Sequence, residues 1–340
     1  MAVRHLFLLW LCASPLLCSV ASGASLFEDD GVVEVTLSGP IHRMANSRRN
    51  RDEYSFILNH DGEDMDVEVR IRGHSRVRLC DLPPLRLNFP QVDLAGGTFA
   101  GLNKVKMVTH CHRSKLRAED SMLNEYAVYR LFNLVSSKSY RVRLLRVTYV
   151  DTDGKTRGLD DPHYAFVIEP KKDLAARLEG EVLEAAGVLY SRLDRGQTAL
   201  MNVFQYMIGN SDWSFVTAED EAACCHNVDL IDRDDTWYPI PYDFDLSGFV
   251  DAVYDRSIRT NKTNRREYGG YCRSSIDSVA AALDTITKLK EEIYALADAV
   301  HSLNMNTREQ RLAYLREFFE AAADRERLLD EFERSCVGRH

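Results

Sequence analysis

Oxygen-bearing side chains are grouped between residues 202 and 248, several of them just past the end of an apolar segment. The first such segment is a helical run that Gly209 ends, and the last is the strand-like stretch Trp237–Pro241. The side chains are Asp212, Asn227, Asp243 and Asp245. Carboxylate and amide oxygens suit Mg²⁺, which binds one or two carboxylates and leaves room for phosphate oxygens. The grouping therefore predicts a metal-dependent site for a phosphorylated ligand.

Each piece of this stretch also has an ordinary interpretation as a turn, because Asn, Ser and Asp side chains hydrogen-bond to their own backbone. The order of the pieces favours chemistry. A kinase-type site needs a positioned acid for the hydroxyl nucleophile, then an amide and a carboxylate that hold metal ions. We expect Asp212 to orient the acceptor hydroxyl or to hold a metal. Asn227 and Asp243, with Asp245 as the weaker candidate, are the expected ligands of Mg²⁺ or Mn²⁺.

Alternating apolar and polar residues predict strands in the first half of the chain, and the second half is mainly helical. The predicted strands are Gly31–Leu37, Tyr54–Leu58, Met65–Arg72, Leu85–Phe89, Lys104–Val108, Tyr140–Val150 and Tyr164–Ile168. The predicted helices are Asp120–Ser136, Asp173–Leu178, Thr198–Ile208, Ser275–Val300 and a last one opened by a capping box at Thr307. The class is α+β, with an antiparallel sheet followed by a helical body. Asp61-Gly62 predicts a hairpin turn between the second and third strands.

Cationic side chains in the first half are candidates for phosphate contact. No G-x-G-x-x-G motif occurs, and the glycine-rich Gly96–Gly101 is interpreted as a hairpin connection. Arg72 begins an R-G-H-S-R segment, which is either a phosphate-binding turn or a plain polar turn. Lys104 and Lys106 share one face of their strand, so strand parity does not separate them.

Two acidic residues complete the predicted nucleotide side. Glu125 lies on the helix Asp120–Ser136, where it is placed to form an ion pair with the strand lysine. Glu169 stands before Pro170, which ends the last predicted strand. Glu169 either contacts the adenine edge or caps this turn, and the sequence leaves both roles open.

These motifs resemble a known family. The order GNSDWS, HN, PIPYDFDLSG resembles the atypical kinases of the spore-coat protein H (CotH) type, and more loosely the HipA-like and lipid-kinase-like branch. Upstream stretches agree: RIRGHSR, LPPLRLNF, GLNKVKMVTHC, LNEYAVYRLFNLV and YAFVIEPKKDLAARL. The resemblance spans about residues 33 to 272 and is close to uncharacterised bacterial secreted proteins assigned to that class.

The resemblance implies a two-lobed protein-kinase-like fold, with a nucleotide-covering lobe at residues 25–169 and a catalytic lobe at 170–340. It implies ATP as the phosphate donor and a protein Ser/Thr or saccharide hydroxyl as the acceptor. It favours Lys106 over Lys104 and places the Arg72 segment on the nucleotide side. Two features depart from the family pattern: the missing glycine-rich loop, and prolines at 83 and 84 where members often carry lysines.

Residues 1–24 read as a secretory signal, with Arg4, an apolar run from Leu6 to Leu17 and small residues near 21–24. The mature chain is therefore expected to be secreted or periplasmic, without a stable membrane span.

Outside the signal there are six cysteines, which fits disulfides in an oxidising compartment. Cys80 with Cys111 is the preferred bridge, although the sequence does not determine connectivity. Zinc is the second interpretation, but no C-x₂-C pair supports it.

The chain has 340 residues, of which 45% are hydrophobic, enough for a full core. Its net charge of −9 argues against non-specific nucleic-acid binding.

Two alternatives to a phosphotransferase stay open. One is a catalytically inactive kinase-like binding module, since ATP is scarce outside the cytoplasm. The other is a metal-dependent hydrolase, for which His226 is the one histidine near the predicted ligands.

Overall fold

Seven strands built from the alternating segments close into a barrel. A computed structural model describes residues 26–90, 97–111, 116–156, 159, 161–215, 224–252, 266–301 and 304–338; the predicted signal lies outside them. The barrel strands are β1 (Val33–Gly39), β2 (Tyr54–His60), β3 (Glu63–Ile71), β4 (Leu85–Asn88), β5 (Lys104–Val108), β6 (Val142–Asp151) and β7 (His163–Ile168). On β1 every second residue is buried. The predicted period-two pattern is therefore the inward face of the barrel.

The strand order around the barrel is β1-β2-β3-β4-β5-β7-β6, and β6 returns to β1. The α+β class is confirmed, and the neighbouring strands pair antiparallel as expected except for one pair, but the sheet closes into a barrel. β1 pairs with β6 in parallel, with Val33 opposite Leu145. This contact between distant segments closes the sheet and removes both of its edges. The predicted hairpin turn is confirmed, with Asp61 at φ +51° and Gly62 at φ +83°.

Three helices accompany the barrel: α1 (Ile41–Asn46), α2 (Ser75–Leu79) and α3 (Leu116–Val135). α3 is buried on almost all sides, because it packs both on β6 and β7 and on the C-terminal helices. α2 was not predicted. It forms where the R-G-H-S-R segment leaves β3, and Gly73 at φ +94° makes the bend that only glycine adopts readily.

The second half is mainly helical, as expected. Its elements are α4 (Lys171–Arg177), β8 (Glu181–Leu183), α5 (Arg195–Ile208), β9 (Val228–Arg233), β10 (Thr236–Pro241), α6 (Ile276–Lys288), α7 (Lys290–Ala299), α8 (Met305–Ala323) and α9 (Arg325–Ser335). The strands form a small sheet in the order β10-β9-β8. α5 is the buried centre of this half and contacts α6 and β10.

Several predicted helix boundaries differ from the structure. α5 begins before Thr198, because the Asp194 side chain caps it by accepting from the Gln197 N–H at 2.7 Å. The single helix expected over 275–300 is divided at Leu289 into α6 and α7. The capping box at Thr307 is wrong, since Asn304 caps α8 by accepting from the Asn306 N–H at 2.9 Å.

Three disulfides occur among the described residues. The preferred bridge is confirmed: Cys80 at the end of α2 is bonded to Cys111, just beyond β5. The Leu82 N–H also donates to the Cys111 carbonyl at 3.0 Å. The other disulfides are Cys224–Cys225 and Cys272–Cys336. The first bridge therefore ties α2 to the strand that carries Lys106.

Replacing Cys80 and Cys111 together with alanine is expected to lower the free energy of unfolding by about 3 to 4 kcal/mol, because the bridge closes a loop with a sequence separation of 31. Denaturant unfolding of oxidised protein measures this loss. The matched comparison replaces Cys272 and Cys336. An unchanged unfolding midpoint in the Cys80/Cys111 variant would contradict the prediction.

No helix among the described residues is both long and apolar enough to cross a membrane.

Candidate functional site

The loop after α5 is shaped by its own side chains. Gly209 adopts a left-handed conformation with φ +63°, which ends the helix. Asn210 Oδ1 accepts a hydrogen bond from the Asp212 N–H at 3.0 Å, and Asn210 Nδ2 donates to Gln205 Oε1 at 3.0 Å. These hydrogen bonds confirm the turn interpretation. Asn210 holds the turn, and Asp212 presents a side chain that stays 33% exposed.

Both carboxylate oxygens of Asp212 have partners. His226 Nε2 lies 2.9 Å from Oδ1, and Asn227 Nδ2 donates to Oδ2 at 3.0 Å. Asn227 Nδ2 also donates to the Asp212 carbonyl at 2.7 Å. A β-bridge between Ser214 and His226 holds the two segments side by side. These contacts use Asn227 Nδ2. Asn227 Oδ1 accepts no hydrogen bond from a described residue and could therefore act as a metal ligand.

The β9–β10 hairpin brings Asn227 next to the Asp-Phe-Asp loop. The Asn227 carbonyl accepts from the Tyr242 N–H at 3.0 Å, and the Asp243 N–H donates to the Tyr129 hydroxyl at 2.9 Å. Asn227 and Asp243 have φ values of +54° and +58°, a region in which Asn and Asp are enriched. Hydrogen bonds therefore join Asp212 to Asn227 and Asn227 to Tyr242, and Asp243 is the next residue along the chain.

Arg76 on α2 joins three carboxylates. Its Nη1 lies 3.1 Å from Glu125 Oε2, its Nη2 lies 2.5 Å from Asp243 Oδ1, and its Nε lies 3.1 Å from Asp245 Oδ2. Arg76 and Glu125 are buried, whereas the Asp243 side chain is 38% exposed. The ion pair expected between Glu125 and a strand lysine is wrong. Glu125 pairs with Arg76 because α2 inserts a guanidinium beside α3.

The pKa values of Glu125 and Asp243 are shifted in opposite directions by their surroundings. Loss of surrounding water is the largest influence on both and raises the pKa of each, and for Asp243 it acts although the side chain is partly exposed. For Asp243 the cations Arg76, Arg72 and Lys106 outweigh burial and lower the pKa below its ordinary value. For Glu125 burial prevails over Arg76, and Asp245 and Asp243 add to it, so the pKa rises to about 8. Of these two carboxyl groups, Asp243 is the one whose surroundings favour the ionised form.

Lys106 and Arg72 are cations beside Asp243 without a direct carboxylate partner. No described residue forms an ion pair with either side chain within 4.0 Å, and Lys106 Nζ lies 5.1 Å from the centre of the Tyr242 ring. Burial, followed by Arg72, lowers the pKa of Lys106. Burial also lowers the pKa of Arg72, which Asp243 partly opposes. Two desolvated positive charges with weak compensation suit an anionic ligand such as a phosphate.

The remaining predicted residues lie differently. Lys104 is exposed at the far end of β5 from Val108. Glu169 is buried, and its carboxylate accepts from Arg177 Nε and Nη2, both at 2.8 Å, and from the Arg141 N–H at 3.1 Å. These contacts match a role in holding the turn after β7. Asp245 points inward to Arg76, with a side chain only 6% exposed.

Sequence reasoning missed three residues of this cluster: Arg76, Asp229 and Lys171. Asp229 is buried on β9, where it accepts from the Tyr140 hydroxyl and lies 2.6 Å from Lys171 Nζ. Asp229 stands two residues after Asn227, but strand parity does not relate the two, because Asn227 precedes β9 and has a left-handed conformation. Arg76 was visible as the second arginine of R-G-H-S-R, but its burial depends on the unpredicted helix α2.

The buried carboxyl of Glu125 predicts a pH effect on stability. Its pKa in the folded protein, about 8, is above the ordinary value of 4.5. Because the folded protein holds this proton more tightly than the unfolded chain, the proton stabilises the fold. This stabilisation is complete below about pH 4.5 and is lost as the pH rises through about 8. Glu125→Gln, which mimics the protonated form, is expected to remove this loss, on the order of a few kcal/mol.

Thermal unfolding of nucleotide-free protein between pH 5 and 8.5 measures the effect. Glu34→Gln, at an exposed position on β1, is the control and is expected to follow the wild-type curve. Parallel curves for wild type and Glu125→Gln would contradict the prediction.

The oxygens of Asn227 and Asp243 could supply two ligands to a divalent ion. No group of three or more His, Cys, Asp or Glu side chains with metal-site geometry is found in the described part of the chain. Two oxygens stay open: Asn227 Oδ1, and the Asp243 oxygen that Arg76 does not contact. Mg²⁺ often takes only one or two protein ligands, with phosphate oxygens and water completing the shell. The residues therefore suit an ion that arrives with a phosphorylated ligand.

Comparisons with known proteins add little to this geometry. No protein-family model and no curated protein matches the chain. Among solved structures, a chain of the Shewanella oneidensis MR-1 toxin–antitoxin complex of HipA, HipB and operator DNA is similar, with a TM-score of 0.39 and 12% identity. The match covers 75% of this chain and 66% of that chain, just under two thirds of its length.

Proposed function

We propose that the chain is an exported, atypical kinase-like phosphotransferase of the CotH type, which uses ATP and a divalent metal to phosphorylate a protein Ser/Thr or a saccharide hydroxyl. One observation carries the proposal. Asp212 and Asn227 are hydrogen-bonded to each other, and the Asn227 carbonyl accepts from the N–H of Tyr242, the residue before Asp243. Beside Asp243 lie Lys106 and Arg72, two desolvated cations without a carboxylate partner within 4.0 Å among the described residues. This pairing of oxygen donors and free cations is what a metal–triphosphate requires.

The proposal divides the mature chain at Glu169. Residues 25–169 would cover the nucleotide, and residues 170–340 would carry the catalytic loop and the acceptor site. The strand lysine, α3 with its glutamate, the turn after β7 and the two acidic loops follow one another in the order that a protein kinase uses. Secretion is proposed from the leader-like residues 1–24, and the three disulfides support an oxidising compartment.

In the proposed reaction the acceptor hydroxyl oxygen forms a bond to the γ-phosphorus, while the bond from that phosphorus to the β,γ-bridging oxygen breaks and ADP leaves. The Asp212 carboxylate orients the hydroxyl and takes its proton. Asn227 and Asp243 would hold the metal, which when bound supplies charge neutralisation on the phosphate oxygens. Lys106 and Arg72 meet the remaining negative charge from fixed positions, a main source of rate in such reactions.

Thermal unfolding with increasing ATP tests the proposal. In Mg²⁺ or Mn²⁺ the protein is expected to gain about 2.7 kcal/mol of stability at an ATP concentration 100 times Kd. Asp243→Asn is expected to abolish the metal-dependent part, because it removes the ionised ligand and keeps the side-chain shape. Asp235→Asn is the control, an exposed residue that is also left-handed, with φ +62°.

Transfer of radiolabelled γ-phosphate to casein-type proteins, glycans or water then separates a kinase from a hydrolase. No stabilisation by millimolar ATP with either ion would defeat the phosphotransferase proposal.

The second candidate is an inactive binding module with the same fold. Two contacts favour it: both Asp212 oxygens already accept hydrogen bonds, and Arg76 neutralises Asp243. This candidate predicts ATP binding without transfer, or no nucleotide binding at all.

A further inference from the structure

Two helices and one loop of the proposed site meet at the Arg76 side chain. Arg76 comes from α2, Glu125 from α3, and Asp243 and Asp245 from the loop after β10. Each guanidinium nitrogen contacts a different carboxylate, and Arg76 is only 8% exposed. A lysine has one ammonium group and cannot make this planar three-way contact.

Protein kinases couple the same two elements in another way. There the strand lysine forms an ion pair with the glutamate of the helix, and this pair must be in place together with the metal-binding aspartate. In this chain Lys106 has no carboxylate within ion-pair distance among the described residues, and Glu125 is held by Arg76 at 3.1 Å. The tie between helix and loop is present, but a different residue makes it.

We propose that Arg76 is the positioning residue that fixes α3 to the Asp243–Asp245 loop, and that this arrangement is the one competent for transfer, with Lys106 and Arg72 left for the nucleotide phosphates. The inference rests on the proposed phosphotransferase function. Arg76 itself touches no substrate in this scheme. It acts by keeping the Asp243 side chain at the mouth of the site while Asp245 and Glu125 stay buried.

The fold supports this role on both sides of Arg76. The Cys80–Cys111 disulfide anchors the end of α2 to the end of β5, so the position of Arg76 is coupled to the strand that carries Lys106. On the other side, the Asp243 N–H donates to Tyr129, which lies one helical turn after Glu125 on α3. α3 therefore holds the loop through two contacts, one by Glu125 and Arg76 and one by Tyr129.

Two double-mutant cycles test the proposal, with methionine as a replacement of similar length. The first cycle uses Arg76→Met and Glu125→Met, and the second uses Lys106→Met and Glu125→Met. In the first, we expect each single change to lower kcat at least tenfold with the KM for ATP within about threefold, and the double change to be no worse than either single one. In the second, we expect the effects on kcat to multiply.

The proposal would be overturned if the effects on kcat were non-additive for Lys106 and Glu125 but multiplied for Arg76 and Glu125. An increase in activity or metal affinity in Arg76→Met would also overturn it, since Arg76 would then be a blocking group. A purely structural role would lower the melting temperature and leave kcat at low temperature unchanged. Arg78→Met is the control, an exposed arginine on the same helix α2.

Hydrogen exchange of the nucleotide-free protein gives a readout that needs no activity. Arg76→Met is expected to speed exchange of α3 and of residues 243–247 at least tenfold relative to Arg78→Met. If the wild type neither binds ATP nor transfers phosphate, the proposed function fails, and the transfer-competent assignment fails with it. Unchanged exchange in an active enzyme would defeat the Arg76 tie alone.

Discussion

Replacing Lys106 with methionine is expected to lower kcat/KM for ATP about 10²- to 10³-fold, the usual effect of removing one fixed group that meets developing charge. Methionine keeps the length of the apolar stem and removes only the ammonium. In the folded protein the pKa of Lys106 is lowered by burial and by Arg72, so its charge is poorly compensated without a ligand. The nucleotide-free variant should therefore unfold at the same temperature as the wild type or a higher one.

The prediction is specific because kcat/KM should fall while the unfolding temperature stays the same or rises. A residue that only supports the fold would lose activity and stability together. Lys104→Met provides the comparison, since Lys104 lies on the same strand with an exposed side chain, and we expect its kcat/KM within about threefold of the wild type. Steady-state kinetics with ATP and thermal unfolding without it measure both quantities. An inactive Lys104 variant beside an active Lys106 variant would reverse the assignment.

Asp212→Asn is expected to lower kcat about 10²- to 10⁴-fold, the range for loss of a positioned general base. ATP binding should change less than about threefold, because the phosphates are assigned to Lys106 and Arg72. The fold should survive the change. The asparagine oxygen can accept from Asn227 Nδ2, and its amide can donate to His226 Nε2 if the imidazole proton moves to the other nitrogen.

Single-turnover measurements at saturating ATP separate this loss of chemistry from a loss of binding. Asp234→Asn is the matched control. Asp234 is an exposed residue in the β9–β10 turn with φ +53°, where asparagine is equally acceptable. If Asp212→Asn instead weakens the metal-dependent ATP stabilisation and leaves chemistry intact, Asp212 is a metal ligand and the proton goes elsewhere.

Local patterns predicted much of the secondary structure because they report on nearby residues only. The limits of β5 at Lys104 and Val108 agree with the structure, and so does the Asp61-Gly62 turn. Prediction failed where a distant contact decides the element. The parallel pairing of β1 with β6 joins segments about 110 residues apart, and no local period reports it. Likewise Asn304, rather than Thr307, caps α8.

By itself, the sequence determined which residue types follow the apolar segments, and hence that Asp212, Asn227 and Asp243 are the candidates for chemistry. It also determined the alternation that puts Lys106 and Lys104 on one face of a strand. Tertiary structure alone decided that Arg76, and not the expected lysine, lies beside Glu125, because that outcome depends on α2 bringing a guanidinium to the side of α3. Tertiary structure also turned Asp245 inward and left Asp243 at the mouth of the site. The reason is physical: spacing along a chain sets the face on which a side chain lies, but burial and neighbouring charge arise only when distant segments pack together.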